Sequence, residues 1–170
     1  MIAVLVILSI ICIAAYTAAV CIKFEGIPSS ISATFYSLEH KFWFGATMWL
    51  TAGLLMPVIL EVTPVSYQFT AFLACAGMFL VGVAPNFRDG LDRPVHITGA
   101  TLCILLSQVW VLLTCPWILL VWIAYLAYTV WAIKKNWKGN FISAFLLTKP
   151  MFWVEITALL VTYVTLFILL

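Results

Sequence analysis

Six long apolar stretches alternate along the chain with shorter polar segments. Each is close to the 20 or so apolar residues that a helix needs to cross a hydrocarbon core of about 30 Å. None shows the polar alternation of a barrel strand, so helices are favoured. The pattern predicts an all-α membrane protein, a bundle of six transmembrane helices forming a single integral membrane domain over residues 1–170. The stretches are Ile2–Ile22, Phe42–Leu60, Val65–Ala84, Val95–Leu113, Pro116–Ile133 and Met151–Leu170.

The polar connections between these stretches are of two lengths. The second and the fourth are a few residues long and contain proline, which cannot continue a helix from within. The other three are longer: loop one is Lys23–Lys41, loop three Asn86–Pro94 and loop five Lys134–Pro150. Asp92 stands just before Pro94, so we expect it to cap the fourth helix.

Composition supports a membrane location. Hydrophobic residues make up 66% of the chain and charged residues 8%, whereas soluble domains carry about 25% charged residues. A water-soluble fold could not hide this much apolar surface. The net charge of +2 and the lack of a basic stripe interleaved with aromatic residues argue against nucleic acid as a partner.

The distribution of charge predicts an orientation. All 8 Lys and Arg residues fall in loops one, three and five, and the opposite side carries Glu61 without a cation. Because cation-rich loops stay in the cytoplasm, we expect these three loops inside and both termini outside. The cations are Lys23, Lys41, Arg88, Arg93, Lys134, Lys135, Lys138 and Lys149.

Short sequence matches relate the first pair of helices to the third pair. They occur at nearly constant separation along the chain, so one-residue gaps align them. They indicate three tandem helical hairpins, and the alternative is chance similarity in a sequence dominated by few residue types. The matches are Ala15–Thr17 with Ala127–Thr129, Ile31–Ala33 with Ile142–Ala144, and Phe42–Trp43 with Phe152–Trp153. A further match, of Gly45–Thr47 with Gly99–Thr101, relates the first pair to the middle pair.

Two ionisable residues lie about one turn inside apolar stretches, where a charge is costly unless it is paired or hydrated. Glu155 and His96 each begin a helical face of small or hydroxyl residues, which leaves room beside them. We predict that they share a polar pocket at the cytoplasmic end, with His40 and one of Asp89 or Asp92 nearby. The alternatives are a glutamate that extends to the interface or pairs with a lysine, and salt bridges within loop three.

No known catalytic or metal-binding motif accompanies these residues. Histidine and carboxylates bind zinc, but the sequence lacks an H-x-x-E-H motif, and the serines of loops one and five lack a G-x-S-x-G or S-x-x-K motif. We therefore predict no catalytic residue, no metal site and no cofactor.

Loop five carries four lysines and no acid, a composition that suits anionic lipid head groups. Lys134, Lys135 and Lys138 are the predicted head-group contacts, and the alternative is that they only set the topology. Loops one and five also mix apolar and hydroxyl residues, which is typical of segments lying in the membrane interface. Membrane lipids are thus the predicted partners, and a membrane protein or a second copy of the chain is a further candidate.

The segment from Ser30 to Leu113 resembles bacterial relatives of the DRAM/Sfk group of six-helix membrane proteins. The resemblance rests on Ser30-Ile31-Ser32 before the second helix, and on Pro85-Asn86 followed by His96 and Gly99-Ala100. The sequence departs from that pattern at Ala33, where an acid is expected, and at Asn86, where aspartate is common. The resemblance implies a six-helix bundle linked to lipid handling or regulation.

These observations favour a non-enzymatic membrane protein that binds lipids or a partner. One alternative is a metal-dependent lipid hydrolase similar to the ceramidase-like enzymes, although the chain has one helix too few and lacks their final histidine pair. Another is a small transporter, which would need a polar path through the membrane. The candidates for such a path are Thr47, Thr51, Ser107, Gln108 and Thr162.

Overall fold

The computed structural model describes residues 2–88 and 90–170. These residues fold into seven α-helices and three short 3₁₀ helices, and they contain no strand. The α-helices are α1 (Ile2–Lys23), α2 (Phe42–Glu61), α3 (Gln68–Val83), α4 (Asp92–Thr114), α5 (Val121–Lys135), α6 (Phe141–Leu147) and α7 (Pro150–Leu169). The 3₁₀ helices are Ser32–Tyr36, Val65–Tyr67 and Pro116–Leu120.

Six helical segments of the described chain are long and apolar enough to cross a membrane. This confirms the predicted all-α bundle of an integral, multi-pass membrane protein. The third and fifth segments each begin with a 3₁₀ helix. Pro64 directly precedes the first of these, and Pro116 is the first residue of the second. The prediction that Asp92 caps the fourth helix is wrong, because Asp92 is the first residue of α4. Leu91 occupies the N-cap position, and no side chain forms a capping hydrogen bond there.

Helices α1, α2, α3, α4 and α7 supply the buried core, and α5 lies at its edge. Val6 of α1, Val58 of α2 and Val161 of α7 belong to this core and have almost no exposed surface. In α5 the buried residues are Thr129 and Ala132, so most of this helix is left for contact with lipid.

Helices α3 and α4 approach each other closely at Gly77 and Gly99. A Cβ atom on Gly77 would lie 2.5 Å from the carbonyl oxygen of Gly99 and 2.6 Å from the backbone nitrogen of Cys103. A Cβ atom on Gly99 would lie 2.8 Å from the carbonyl oxygen of Gly77. The two backbones therefore touch, as at the small-residue contacts by which membrane helices associate.

Buried side-chain hydrogen bonds connect the helices, one at the end opposite loop one and others nearer the middle of the bundle. The indole Nε1 of Trp110, which is fully buried, donates to the hydroxyl of Thr63 at 2.8 Å. The hydroxyl of Ser9 donates to the carbonyl oxygen of Thr51 at 2.9 Å and lies 2.6 Å from the hydroxyl of Tyr163. In lipid such groups find no water partner, so these bonds fix the helices relative to one another.

Loops one, three and five meet at one end of the bundle. The Tyr36 hydroxyl accepts a hydrogen bond from the backbone N–H of Arg88 at 2.7 Å, and the Arg88 guanidinium lies 4.1 Å from the Tyr36 ring centre. The backbone N–H of Phe152 donates to the carbonyl oxygen of Ser29 at 3.2 Å. These contacts agree with the prediction, made from their cations, that the three loops lie at the same end. Which side of the membrane this end faces stays a prediction.

The first and third helical hairpins share an order of elements. In each, a short helix separates two long ones: Ser32–Tyr36 lies between α1 and α2, and α6 lies between α5 and α7. The matched segments Ile31–Ala33 and Ile142–Ala144 both fall at these short helices. This order is what a repeat would produce, and a common origin of the hairpins stays a hypothesis.

Candidate functional site

A cavity of about 90 Å³ lies between α1, α2, α3, α4 and α7. Apolar side chains form most of its wall, among them Leu55, Ile59, Met78 and Val81. Polar residues occur in two parts of the wall, although the surface that faces the cavity is almost entirely apolar. Glu155 and Ser32 lie toward the end where the loops gather, and the second part contains Ser107, Thr162 and Tyr163.

Glu155 is held in this wall by the beginning of the first 3₁₀ helix. Its Oε2 atom accepts a hydrogen bond from the backbone N–H of Ile31 at 2.5 Å. Ser32, the first residue of that helix, lies beside the same carboxyl group. The first N–H groups of a helix have no partner within it, and the glutamate supplies an acceptor to the N–H of Ile31 from α7. Glu155 thereby holds loop one against the bundle.

Among the described residues, no Lys or Arg side chain neutralises Glu155. The ion pair found in this part of the chain joins Lys23 and Glu39, whose Nζ and Oε1 atoms are 3.1 Å apart. The predicted alternative of a pairing between Glu155 and a lysine is therefore not formed in this structure. The carboxyl group instead accepts from the backbone N–H of Ile31 and lies beside Ser32.

The Lys23–Glu39 pair is a surface feature. The hydrogen bond and the positive charge of Lys23 lower the pKa of the Glu39 carboxyl. A lowered pKa in the folded state contributes stability at neutral pH that is lost as the pH falls through that pKa. Both side chains are largely exposed, so solvent screening keeps this contribution small.

His96 is buried, but its surroundings differ from those of Glu155. Its Nδ1 atom lies 2.8 Å from the carbonyl oxygen of Ala84, and its ring centre is 4.8 Å from that of Phe87. Because a carbonyl oxygen can only accept, the proton of the imidazole lies on Nδ1. The histidine joins the end of α3 to the first turns of α4. It does not line the cavity, so the structure does not place His96 and Glu155 in a common pocket.

The remaining members of the predicted pocket are also dispersed. His40 is exposed at the start of α2, and Asp92 is partly buried in the first turn of α4. Asp89 lies outside the described residues. Within residues 2–88 and 90–170, no three His, Cys, Asp or Glu side chains come together as a group that could hold a metal ion.

Four of the polar residues considered for a transport path form side-chain hydrogen bonds, whereas the buried hydroxyl of Thr51 has no hydrogen-bond partner among the described residues. Gln108 Nε2 donates to the Ser107 hydroxyl at 3.1 Å and to the Ala158 carbonyl at 3.3 Å, and Gln108 Oε1 accepts from Trp122 Nε1 at 2.9 Å. Thr162 donates to the carbonyl oxygen of Ala158 at 2.8 Å. Ser107 and Thr162 line the cavity, whereas Thr47, Thr51 and Gln108 do not.

The lysines of loop five surround α6. Asn140 caps this helix, since its side-chain oxygen accepts hydrogen bonds from the backbone N–H groups of Ile142 at 2.9 Å and Ser143 at 3.4 Å. Lys134 and Lys135 lie in the last turn of α5. They and Lys138 are exposed, so all three predicted head-group contacts are free to reach a membrane surface.

Sequence reasoning singled out Glu155 but not the residues that hold it. Ile31 is 124 positions away, and its contribution is a backbone N–H, which no sequence motif marks. Comparison with protein-family models, with curated proteins and with solved structures finds no match to this chain. The site must therefore be interpreted from its own geometry.

Proposed function

We propose that this protein binds anionic lipid at the end of the bundle where α6 lies, and acts through that binding without catalysis. The observation that supports the proposal is the combination of exposed apolar side chains on α6 with the exposed lysines beside it. The lipid-related role implied by the DRAM/Sfk resemblance agrees with it but rests on sequence alone. A membrane-protein partner or a second copy of the chain stays a further candidate.

The apolar side chains of α6 suit insertion into a membrane interface. Phe141, Ile142, Leu146 and Leu147 each have more than half of their surface exposed, while Ala144 is buried against the rest of the protein. A short helix with this division of surface can bury its free apolar side chains at the boundary of head groups and acyl chains. Helix α6 would then lie on the membrane between the ends of α5 and α7.

The lysines supply the preference for negative charge. Each basic residue close to an anionic membrane surface adds roughly 1 kcal/mol to the attraction. Lys134, Lys135 and Lys138 together would contribute on the order of 3 kcal/mol, which corresponds to about a 100-fold difference in affinity. Loop five carries no acidic residue that would oppose this attraction.

The test compares two variants with the same loss of charge. The loop-five variant carries Lys134→Gln, Lys135→Gln and Lys138→Gln, and its control carries Lys23→Gln, Lys41→Gln and Arg93→Gln. Each protein is placed in nanodiscs that contain phosphatidylglycerol and phosphatidylcholine, and the lipids retained after extraction are counted by native mass spectrometry.

We expect the wild-type protein and the control to retain phosphatidylglycerol preferentially. The loop-five variant should lose most of this preference and keep its fold. Equal losses in both variants would show a general effect of net charge, and an unchanged preference in the loop-five variant would show that these lysines set topology alone. Either result would refute the proposal.

A further inference from the structure

A groove of about 380 Å³ lies on the surface of the bundle between α1, the beginning of α2 and loop one. Leu38 of loop one, Trp43 of α2, and Ala15 and Ala19 of α1 contribute to its wall. Ala15, Ala19 and Trp43 are exposed, so the groove opens toward lipid when the helices span a membrane. Its surface is almost entirely apolar, and its volume falls within the roughly 300–1,000 Å³ of ligand pockets. These properties suit an acyl chain.

The length of the groove matches one leaflet of a membrane. From Cys12 to Lys23, which both line it, α1 rises by about 16 Å at roughly 1.5 Å per residue. Half of the hydrocarbon core measures about 15 Å. Tryptophan favours the depth of the lipid head groups, and Trp43 lies in the first turn of α2, next to loop one. The groove therefore extends from the head-group region toward the middle of the membrane.

An exposed ion pair lies at the loop end of the groove. Lys23 contributes to the wall, and its Nζ atom is 3.1 Å from the Oε1 atom of Glu39, which is not part of the wall. The two side chains are 46% and 79% exposed, so a lipid head group can reach both charges. An exposed ion pair contributes little to stability, so its members can form other contacts at small cost. A ligand that leaves the groove meets the positive charge first and the negative charge beyond it.

We infer that this groove binds a phospholipid whose zwitterionic head group ends in a primary amine, as in phosphatidylethanolamine. One acyl chain lies in the groove, the phosphate contacts the Lys23 ammonium, and the lipid ammonium donates to the Glu39 carboxylate. The lipid carries its phosphate next to the acyl chains and its ammonium beyond, which is the order that Lys23 and Glu39 complement.

The ion pair also distinguishes this lipid from its relatives. A choline head group has no N–H and cannot donate the charge-assisted hydrogen bond to Glu39. A glycerol head group leaves the phosphate unbalanced beside the negative charge of Glu39. The lysines of loop five do not line the groove, so the inference goes beyond the proposed function and does not depend on it.

The experiment places the protein in nanodiscs that contain equal amounts of phosphatidylethanolamine, phosphatidylcholine and phosphatidylglycerol. The lipids retained after extraction are counted by native mass spectrometry. The wild-type protein should retain phosphatidylethanolamine over phosphatidylcholine by roughly fivefold, the effect of one exposed charge pair. Equal retention of these two lipids would refute the inference.

Two variants test the role of the charges, and both change exposed side chains, so the fold should be kept. Glu39→Gln should remove the preference for phosphatidylethanolamine over phosphatidylcholine. A variant that carries Lys23→Glu and Glu39→Lys keeps an ion pair and the net charge but reverses the order of the charges, so it should lose the preference as well. Persistence of the preference in either variant would overturn the inference.

A matched pair of alanine substitutions tests the groove itself. Ala19→Leu fills the groove and should lower the amount of retained phosphatidylethanolamine severalfold. Ala18→Leu adds the same side chain at a neighbouring exposed position outside the groove and should behave as the wild type does. Equal losses in the two variants would show lipid bound around the whole helix and would contradict the site.

The loop-five variant distinguishes failure of the two proposals. It should lose its preference for phosphatidylglycerol and keep the ratio of phosphatidylethanolamine to phosphatidylcholine. If it keeps its preference for phosphatidylglycerol, the proposed function alone fails. If it loses the preference for phosphatidylethanolamine, that preference belongs to loop five and the groove site is refuted.

Discussion

Replacing Gly77 by alanine would place a methyl group inside the contact between α3 and α4. The added Cβ atom would lie 2.5 Å from the Gly99 carbonyl oxygen and 2.6 Å from the Cys103 nitrogen, whereas ordinary contacts begin near 3.4 Å. Both neighbours are backbone atoms, so no side chain can rotate to relieve the overlap. The helices would have to separate locally by about 0.9 Å, and such overpacking costs about 1–3 kcal/mol.

A matched variant separates this effect from helix propensity. Alanine is favoured over glycine within a helix by up to about 1 kcal/mol, and this gain applies equally to Gly53→Ala in α2. A Cβ atom on Gly53 would meet the Phe79 Cζ atom at 3.9 Å, which is an ordinary contact. The difference in stability between the two variants therefore reports the clash at Gly77.

The assay is thermal unfolding of both variants in the same detergent, followed by tryptophan fluorescence. For chains of this length, 1 kcal/mol corresponds to about 2–4 °C, so Gly77→Ala should melt about 2–12 °C below Gly53→Ala. Gly99→Ala disturbs the same contact, and the double variant should lose less stability than the two single variants together. A Gly77→Ala protein as stable as Gly53→Ala would show that the two backbones do not touch.

Three further expectations follow from the structure. Trp110→Phe should lower the free energy of unfolding by about 1–3 kcal/mol, since it removes a buried indole and its hydrogen bond; chemical unfolding in mixed micelles measures the change. Glu155→Leu should destabilise the protein by about 1–3 kcal/mol because the N–H of Ile31 loses its acceptor; Glu155→Gln keeps an acceptor oxygen and should remain close to wild type in the same assay. With native cysteines removed, a cysteine at Gly139 should resist an impermeant maleimide added outside intact cells, and one at the exposed Val65 should react; labelling at 139 would reverse the predicted topology.

The bundle could be predicted because its main signal is local. Each span is a continuous apolar run, and prolines mark the turns, so the six helices follow from hydropathy and length alone. Which helices pack against one another is harder to predict from the sequence. Gly99 belongs to the face of small residues that begins at His96, but its partner Gly77 lies on another helix, and several other glycines could have met it.

The candidate site shows where such reasoning fails. Glu155 and His96 lie at similar depths in their helices, and each begins a face of small or hydroxyl residues, which predicts a common pocket. The structure separates them because the rotation of each helix decides which neighbour a side chain meets. His96 contacts the carbonyl oxygen of Ala84 at the end of α3, and Glu155 contacts Ile31. In both cases the partner is a backbone atom, whose position depends on the folded loop and not on residue type.

The hydrogen bond between Ile31 and Glu155 can form only late in the synthesis of the chain. Its two partners are separated by 124 residues, and ribosomes add about 5–20 residues per second. Loop one is therefore synthesised about 6–25 seconds before the carboxylate that holds it. During that interval loop one lacks its bond to α7, and its contact with loop three through Tyr36 and Arg88 can form first. A nascent chain that stalls before α7 lacks this hydrogen bond and one wall of the interior cavity.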